Sequence, residues 1–368
     1  KDNLCLAYQF DIYATQPLFR AYVYVDALSN KIVNEESRIH YTDVPGTANT
    51  GYSGTQTITA DSYSGGFRLR ESGRGNGIET YNLQQGSDYT SAIDFSDADN
   101  VWNTVNTQLD QYATDAHWGT EKTYDYYWLN FNRNSIDNNG FKIQSYVHYD
   151  VDFFNAFWDG SVMTYGDGDP STGSTPLVSV DIVGHEITHG LTEHSAGLIY
   201  SGESGGLNES FSDIFGQCVE FYAKPNAASW LIGDEIGYTI RSMDNPNAFG
   251  DPDTYHCLDW DPFEEVHNIS GVQNFWFYLL SMGGTGTNDN GDNYNVNGIG
   301  VTNAAKIAFR NLTVYLTPNS NYADARYYSI QSAIDLFGPC SPEVAATANA
   351  WYAVGVGGLY SNTVQSDF

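Results

Sequence analysis

Residues 181–189 read Asp-Ile-Val-Gly-His-Glu-Ile-Thr-His and carry the pattern H-E-x-x-H inside a long run without proline. On an α-helix, residues four apart lie on one face, so His185 and His189 can present two imidazoles to one metal ion. Glu186 is rotated by roughly 100° from His185, and its carboxylate can therefore reach a water molecule on that metal. Asp181 adds a carboxylate one turn earlier. The stretch predicts a metal-binding helix.

The next helical run supplies a candidate for a third ligand. Glu209 lies 20 residues beyond His189, and a loop between two helices can bring it back to face the first helix. Catalytic zinc usually has three protein ligands and one open position. Asn208 and Asp213 flank Glu209 and are candidates for hydrogen bonds that fix the histidine tautomers. The spacing predicts a zinc site made of His185, His189 and Glu209.

The composition is that of a folded chain. The chain has 368 residues, 41% of them hydrophobic and 15% aromatic, which excludes a disordered protein and allows two or more domains. It contains no run of about 18 apolar residues that could cross a membrane. Residues 1–5 lack the charged head and apolar stretch of a signal peptide, so we expect a processed or truncated start.

The charge balance is strongly acidic. The chain has 15 Lys and Arg against 45 Asp and Glu, a net charge of −30. Binding to nucleic acid or to an anionic membrane surface requires a basic face, so the net charge disfavours both classes of partner, and we expect neither. Two interpretations of the acidity remain open, namely solubility in a salty or cold setting and carboxylates that cluster around calcium.

The four cysteines are Cys5, Cys218, Cys257 and Cys340. None forms a C-x-x-C pair, so a zinc ribbon or a redox motif is excluded. Cys218 lies in an apolar helical run and reads as a small buried residue. We expect Cys257 to pair with Cys340, which implies an oxidising compartment.

The pattern of secondary structure changes along the chain. The first part has the short alternating pattern of strands, at residues 6–13, 19–26 and 31–33. A linker is predicted at residues 42–51, then a β-rich region to residue 150 with one helix at 101–117. After residue 177 the runs are helical: 178–194, 208–223, 267–282, 302–316, 322–337 and 342–354, with a surface loop at 283–300. This order predicts an α+β fold with a β-rich N-terminal lobe, a central zinc-binding helix and a mainly α-helical C-terminal lobe.

Further motifs resemble one family. Residues 184–190, 195–200 and 208–213 are similar to the zinc-binding segments of the thermolysin-like zinc metalloproteases. Other matches follow in the family's order at residues 155–158, 165–169, 241–244, 266–271, 315–321, 331–335 and 353–356. The resemblance covers about residues 50–357. It implies a secreted zinc endopeptidase with two lobes and a cleft between them.

The resemblance also implies a role for each matched residue. Glu186 would be the general base, and Tyr200 and His267 would donate hydrogen bonds to the oxyanion. Asp213 and Asn208 would orient the zinc histidines. The backbone of a protein or peptide substrate would be held by Asn155, the carbonyl of Ala156, and Arg241. A pocket for a hydrophobic residue on the amino side of the cut would be walled by Ile182, Ile232 and Ile240. Residues 170–176 lack the bulky aromatic residue that the family often has there, so we expect a wider pocket.

A calcium site is the second metal site that the resemblance implies. Asp181, Glu220 and Asp234 match carboxylates of the family's central calcium region, and oxygen ligands suit Ca²⁺. Ser229 and Leu231 stand where members with two calcium ions carry acids. We therefore expect one calcium ion, with the backbone carbonyl of Leu231 as a further ligand, and a fold that loses stability when calcium is removed.

A second departure precedes His267. The family often has an aspartate with glycines there that orients this histidine. Here the acids in that position are Asp261 and Glu264, and either can take the role.

The N-terminal segment resembles the last strands of the family's propeptide, with its matching core at residues 22–27. We therefore expect a propeptide remnant at 1–45, a β-rich catalytic lobe with the zinc helix at 46–195, a helical lobe at 196–357 and a tail or linker at 358–368. The expected partners are substrates and the protein's own propeptide, and the expected state is a monomer. Three alternatives remain, namely an unrelated N-terminal β extension, a latent zymogen whose cleft is blocked by residues 1–45, and a zinc- and calcium-binding module without catalysis.

Overall fold

The computed structural model describes residues 5–15, 18–37, 42–257, 260–261 and 263–360. Three strands at the N-terminus form an antiparallel sheet of order β1-β2-β3, with β1 at Ala7–Thr15, β2 at Leu18–Asp26 and β3 at Ile32–Ser37. The three strands that the alternating pattern predicts are therefore confirmed. Large apolar side chains of this sheet remain exposed, among them Tyr8 and Phe10.

The remaining elements follow the predicted change from strands to helices. The strands are β4 (Thr42–Asn49), β5 (Thr55–Tyr63), β6 (Gly66–Arg68), β7 (Arg70–Glu71), β8 (Ile78–Gly86), β9 (Ile93–Asp94), β10 (Ser96–Asp97), β11 (Val101–Trp102), β12 (Ile143–Tyr149), β13 (Ala156–Trp158), β14 (Met163–Gly166), β15 (Leu231–Ile232), β16 (Arg241–Ser242), β17 (Gly284–Thr287) and β18 (Asn293–Val296). The helices are α1 (Ala113–Phe131), α2 (Val180–Glu193), α3 (Gly202–Ala223), α4 (Val266–Ile269), α5 (Gly271–Met282), α6 (Val301–Arg310), α7 (Tyr322–Phe337) and α8 (Pro342–Ala353). The predicted α+β class is confirmed.

The β-rich lobe consists of two sheets and one long helix. One sheet has the order β10-β6-β5-β4-β11, and the other has the order β13-β14-β12-β8-β7 with β9 beside β8. In the second sheet β8, β12 and β14 run parallel, and β13 pairs antiparallel with β14 at its edge. Helix α1 contacts β5, β8, β12 and α2, so it joins both sheets to the helix that carries the H-E-x-x-H pattern.

The helix predicted at residues 101–117 coincides with α1 only at residues 113–117. Val101 and Trp102 form the short strand β11, and α1 begins only at Ala113. Leu109 has a φ angle of 64°, in the left-handed region, so no α-helix can run through it. Most of α1 up to Tyr127 is buried, and this burial on several sides removes the one-sided apolar pattern that sequence reasoning depends on.

The predicted linker at residues 42–51 is also wrong. Residues 42–49 form strand β4, which pairs with β5 from Thr42 opposite Ser62 to Asn49 opposite Thr55. Pro45 is tolerated because its carbonyl faces the side chain of Asn100, which donates to it at 3.1 Å. The missing N–H therefore lies on the side away from the β5 ladder.

The helical lobe is built on α3, which contacts α2, α4, α5, α6 and α7. It begins at Gly202, earlier than the predicted residue 208. The glycines at the start of α3 have a low helix propensity, so the sequence did not reveal this turn. Gly205 is needed there because a Cβ on it would lie 2.5 Å from Val266 Cγ1, and the bare backbone lets α4 pack closely. The predicted surface loop at 283–300 contains the hairpin β17–β18. The predicted helix at 302–316 is α6 followed by a π-helix at Asn311–Tyr315.

Helices α2 and α3 approach each other closely where they carry the candidate ligands. A Cβ on Gly216 would lie 2.5 Å from the carbonyl oxygen of Asp181, and a Cβ on Gly184 would lie 3.0 Å from Gly216 Cα. Only glycine permits this backbone contact. The contact sets the distance across which α3 presents a side chain to the histidines of α2.

The predicted disulfide is wrong. Cys257 is buried and Cys340 is exposed, and neither is bonded to the other. Cys218 is 2% exposed within α3, as expected for a small buried residue. Burial raises the pKa of its thiol to about 12. Among the described residues, no helix is both long enough and apolar enough to span a bilayer.

Candidate metal centre and substrate cleft

Helix α2 brings the two histidines together, and α3 adds the glutamate. His185 Nε2 and His189 Nε2 lie 2.9 Å apart. The carboxylate of Glu209 reaches both rings, with Oε2 at 3.5 Å from His185 Nε2 and Oε1 at 3.4 Å from His189 Nε2. Across the part of the chain that the structure describes, these three residues are the one group of His, Cys, Asp or Glu whose ligand atoms converge for a metal.

The other ring nitrogens are held by the two residues predicted to orient them. His185 Nδ1 lies 2.9 Å from Asp213 Oδ1, and His189 Nδ1 lies 2.8 Å from Asn208 Oδ1. Asn208 donates its amide to the carbonyl of Leu198 at 3.0 Å, so its Oδ1 accepts from the histidine. Both Nδ1 atoms therefore carry a proton, and in the neutral form of both rings the two Nε2 lone pairs would face each other.

Two facing lone pairs at this distance repel unless a cation lies between them. Burial opposes a charge on His185, but the hydrogen bond to Asp213 and the charge of Glu209 raise its pKa to about 9. The pKa of His189 is lowered to about 4, mainly by burial. Glu209 Oε2 is buried without a hydrogen-bond partner. A pocket that demands one positive charge, with two nitrogens and a carboxylate oxygen as donors, fits zinc.

Asp213 is the hub behind the metal ligands. Arg241 donates to both of its oxygens, from Nε at 3.0 Å and from one terminal nitrogen at 2.7 Å. Asn274 donates to Oδ2 at 2.8 Å. Burial opposes ionisation, but Arg241 and His185 hold the pKa of Asp213 well below its usual range. The sequence reasoning did not find Asn274, although a fully buried asparagine in the apolar helix α5 is a signal that could have revealed it.

Glu186 lies beside the histidines and opens to the cleft. Its side chain is buried, and this burial raises the pKa of its carboxyl to about 7. A carboxyl group with a pKa near neutrality can both take and return a proton.

Tyr200 and His267 lie on the α3–α4 side of the cleft. The hydroxyl of Tyr200 donates to Glu209 Oε1 and lies 3.3 Å from His267 Nε2. Burial and the nearby Glu209 raise the pKa of Tyr200 well above its usual value, so the hydroxyl keeps its proton. Both side chains are partly exposed and line the cleft.

The residue that orients His267 is neither of the two predicted. Glu265 Oε1 lies 2.6 Å from His267 Nδ1, and its Oε2 accepts from the backbone N–H of the same histidine at 2.9 Å. Glu264 instead accepts from the side chain of Asn268, and Asp261 accepts from the backbone of Phe263. Glu265 is thus the N-cap of α4 and at the same time holds the imidazole ring of His267. The assignment to Asp261 or Glu264 is wrong, because the spacing in this chain brings a nearer acid to Nδ1.

The cleft has a volume of about 920 Å³. It is lined by the metal cluster and by predicted substrate-binding residues: Asn155, Ala156, Ile182, Ile232, Ile240 and Arg241. Asp251 also lines it and was not predicted; burial raises the pKa of this carboxyl to about 7. The structure therefore brings the predicted catalytic and substrate-binding residues into one cleft.

The predicted calcium ligands lie together behind α2, and several of their oxygens already have protein partners, although Glu220 Oε2 is buried without one. Asp181 Oδ1 accepts from Ser179 at 2.5 Å, and Oδ2 accepts from the N–H of Gly233 at 2.7 Å. Asp234 accepts from Ser229 at 2.9 Å. The carbonyl of Leu231, predicted to bind calcium, accepts from Gln217 at 2.9 Å.

The ammonium of a lysine lies beside Glu220, one of the predicted calcium ligands. The ammonium of Lys224 bonds to Glu235 and lies 3.5 Å from Glu220 Oε1. Burial, together with Asp181 close by, raises the pKa of Glu220 to about 8. The ammonium of Lys224 already supplies a positive charge, and the oxygens of Asp181, Asp234 and Leu231 already accept hydrogen bonds. These contacts favour an internal ion pair over a calcium ion. The calcium site stays a prediction that the geometry does not favour.

This fold and this site define a class of protein, the zinc metallopeptidase domains in which one helix supplies two histidines and the next helix supplies a glutamate. The chain belongs to the thermolysin metallopeptidase family. The family's catalytic domain matches residues 45–193, and its alpha-helical domain matches residues 196–356.

Relatives and one solved structure agree with this assignment. The chain is 39% identical to a bacillolysin of Brevibacillus brevis over 97% of its length and 66% of that protein, and 41% identical to a bacillolysin of Bacillus cereus over 82% and 53%. It is 38% identical to a thermolysin of Alicyclobacillus acidocaldarius subsp. acidocaldarius over 95% and 66%. The precursor of protealysin, a metalloproteinase from Serratia proteamaculans, aligns with a TM-score of 0.59 and 28% identity over 76% of this chain and 87% of that chain. The chain thus spans between half and two thirds of the length of these curated relatives.

Proposed function

We propose that the protein is a secreted zinc endopeptidase that hydrolyses peptide bonds on the amino side of hydrophobic residues. The observation that carries the proposal is the pair of opposed histidine nitrogens beside Glu209, with the buried carboxyl of Glu186 next to them in the cleft. A zinc-binding module without catalysis would have no use for the carboxyl group of Glu186 in the cleft beside the proposed zinc ligands.

His185, His189 and Glu209 would hold the zinc ion. When bound, zinc polarises the scissile carbonyl and makes a water molecule more acidic. Glu186, whose carboxyl lines the cleft beside these ligands, would take a proton from the attacking water and deliver it to the leaving amine. Tyr200, whose hydroxyl donates to Glu209 here, and His267 line the cleft and would donate to the oxygen that gains negative charge.

The substrate backbone is proposed to bind along the edge strand β13. This strand ends the order of its sheet, so its outer row of N–H and C=O groups can pair with an extended peptide that passes Asn155 and Ala156. Arg241 uses Nε and one terminal nitrogen for Asp213, which leaves the other terminal nitrogen for a substrate carbonyl. Ile182, Ile232 and Ile240 supply an apolar wall for the side chain after the cut.

Peptide hydrolysis by the wild type and by Glu186→Gln, each with its zinc content measured, tests the proposal. The variant keeps the three ligands, so we expect one zinc ion per chain and a kcat at least about 100-fold lower, as for the loss of a general base. Either of two results would overturn the proposal. In the first, the zinc-loaded variant cleaves peptides as fast as the zinc-loaded wild type; in the second, neither protein cleaves any peptide.

We further propose that residues 1–45 are the end of a propeptide and that the mature enzyme is a monomer of the two lobes at 46–195 and 196–357, with a tail from 358. The family's catalytic domain begins to match at residue 45, which supports the boundary. Of the alternatives, a blocked cleft has no support from the described part of 5–37, because none of these residues lines it. N-terminal sequencing after incubation should find a new start near residues 40–50, and an active protein that still begins at Lys1 would contradict the propeptide.

A further inference from the structure

A single lysine lies among buried acids behind the metal-binding helix. Lys224 directly follows α3, and its backbone N–H donates to the carbonyl of Glu220 at 2.7 Å. Its side chain is 10% exposed, which is unusual for a lysine that has no strong partner. The ammonium bonds to Glu235 and lies 3.5 Å from Glu220 Oε1. It also lies at the C-terminal end of α3, where the helix dipole favours a positive charge.

Several polar groups in this region are hydrogen-bonded by the protein itself, while Glu220 Oε2 is buried without a hydrogen-bond partner. Both oxygens of Asp181 accept hydrogen bonds from Ser179 and Gly233. Ser229 donates to Asp234 and accepts from the N–H of Leu231 at 3.0 Å, so a hydroxyl occupies the place of an acid. The carbonyl of Leu231 is taken up by Gln217. These hydrogen bonds occupy oxygen atoms that a calcium ion would otherwise use as ligands.

We propose that the ammonium of Lys224 is the resident cation of this region in place of calcium, and that it ties the end of α3 to the loop around Glu235. A cation on a covalent tether cannot dissociate, so this part of the fold does not depend on free calcium. Glu220 lies one turn beyond Gly216 on α3, and Gly216 meets the backbone of Asp181 on α2. Loss of the pair therefore loosens the contact that spaces the zinc ligands. The proposal concerns stability and does not depend on the proposed catalytic activity.

Thermal unfolding of the zinc-loaded protein with calcium chloride or with a calcium-selective chelator tests this inference. All proteins carry Glu186→Gln to suppress self-digestion. With Lys224 present, we expect Tm values that differ by less than about 2 °C between the two conditions, because no ion is bound there to be removed. In Lys224→Met, we expect Tm in the chelator to fall by about 5 °C or more, since Glu220 and Glu235 then lack their counter-charge, and calcium to restore part of the loss.

Lys142→Met is the matched control. Lys142 pairs with Glu79 at 2.9 Å but is 45% exposed, so its removal should change Tm little and confer no response to calcium. The proposal is overturned if calcium raises the Tm of the lysine-containing protein and Glu220→Gln abolishes that rise, because an ion would then lie beside Lys224. It is also overturned if Lys224→Met unfolds at the same temperature as Lys142→Met. If Lys224→Met does not fold, the test rests on the calcium response of Tm in the lysine-containing protein, measured with and without Glu220→Gln.

Discussion

His267 keeps its place in the cleft while its partner differs from the one expected. Glu265 binds both the ring Nδ1 and the backbone N–H of this histidine, so one carboxylate fixes the ring and starts the helix. Sequence comparison by motif looks for an acid at the family's spacing and therefore favours Asp261 or Glu264. The three-dimensional position of a side chain two residues away is decided by the turn into α4, which no motif encodes.

Replacing Glu265 by Gln should lower kcat by about 10-fold with little change in KM. This loss is smaller than that for removing an oxyanion donor, because the ring stays in the cleft but its orientation is no longer fixed by a charge. Glu265→Asp should recover part of the rate, since it restores a carboxylate. Steady-state kinetics on a peptide give both constants, and Glu264→Gln is the control. Equal losses in the Glu264 and Glu265 variants would contradict the assignment.

The crossing of α2 and α3 is the element on which the metal site rests. Gly184 and Gly216 let the two backbones touch, and the ligands lie within one to two turns of this contact on each helix. The H-E-x-x-H spacing predicts the ligand face of α2 because four residues make about one turn. The close approach of α3 to α2 could not be predicted from the sequence. A glycine in a helical run can mark a close backbone contact, but it can equally mark a position that destabilises the helix.

Gly216→Ala should destabilise the fold by about 1–3 kcal/mol, because the added methyl group meets the carbonyl oxygen of Asp181 and not a flexible side chain. Urea unfolding in the Glu186→Gln background measures the free energy. Gly358→Ala is the control, since a Cβ there meets no atom within 4 Å. If both substitutions have the same small effect, the close contact does not constrain the two helices.

Helix α1 carries a buried histidine that links the β-rich lobe to pH. His117 Nε2 lies 2.9 Å from the carbonyl of Thr59, and Nδ1 lies 3.0 Å from the hydroxyl of Thr80. Both contacts suit the neutral ring, with Nε2–H as donor and Nδ1 as acceptor. Burial lowers the pKa of His117 to about 4 from its ordinary value of 6.5.

Between pH 6.5 and about 4 the unfolded chain binds a proton at His117 and the folded chain does not. The free energy of unfolding therefore rises with pH in this window, and the contribution of the neutral histidine is lost as the pH falls through it. We expect His117→Gln to flatten this slope by up to about 1.4 kcal/mol per pH unit. Urea unfolding at several pH values measures it, and His194→Gln, at an exposed histidine, should leave the slope unchanged. An unaltered slope in His117→Gln would refute the link.

Some parts of the molecule are determined by local sequence, and others depend on contacts between distant residues. The two lobes, the zinc-binding helix and Glu209 could be predicted, because they depend on periodicity and on short spacings. The strand at residues 42–49 could not, since Pro45 and Gly46 read as a linker and their pairing with β5 is a contact made by the fold. Lys224 likewise became meaningful only when α3 and the loop at Glu235 brought it among acids. The predicted Cys257–Cys340 disulfide is wrong for the same reason, because the burial of Cys257 and the exposure of Cys340 are properties of the folded chain.

The two exposed thiols offer a way to measure release of the N-terminal segment. Cys5 is exposed on the N-terminal sheet and Cys340 is exposed before α8, while Cys218 and Cys257 are buried. A maleimide dye should therefore react rapidly with two sites on the full chain. If the N-terminal segment is released, one of the two departs with it, and the dye bound per molecule falls by half. Labelling stoichiometry would then follow processing in real time, with no substrate and no antibody.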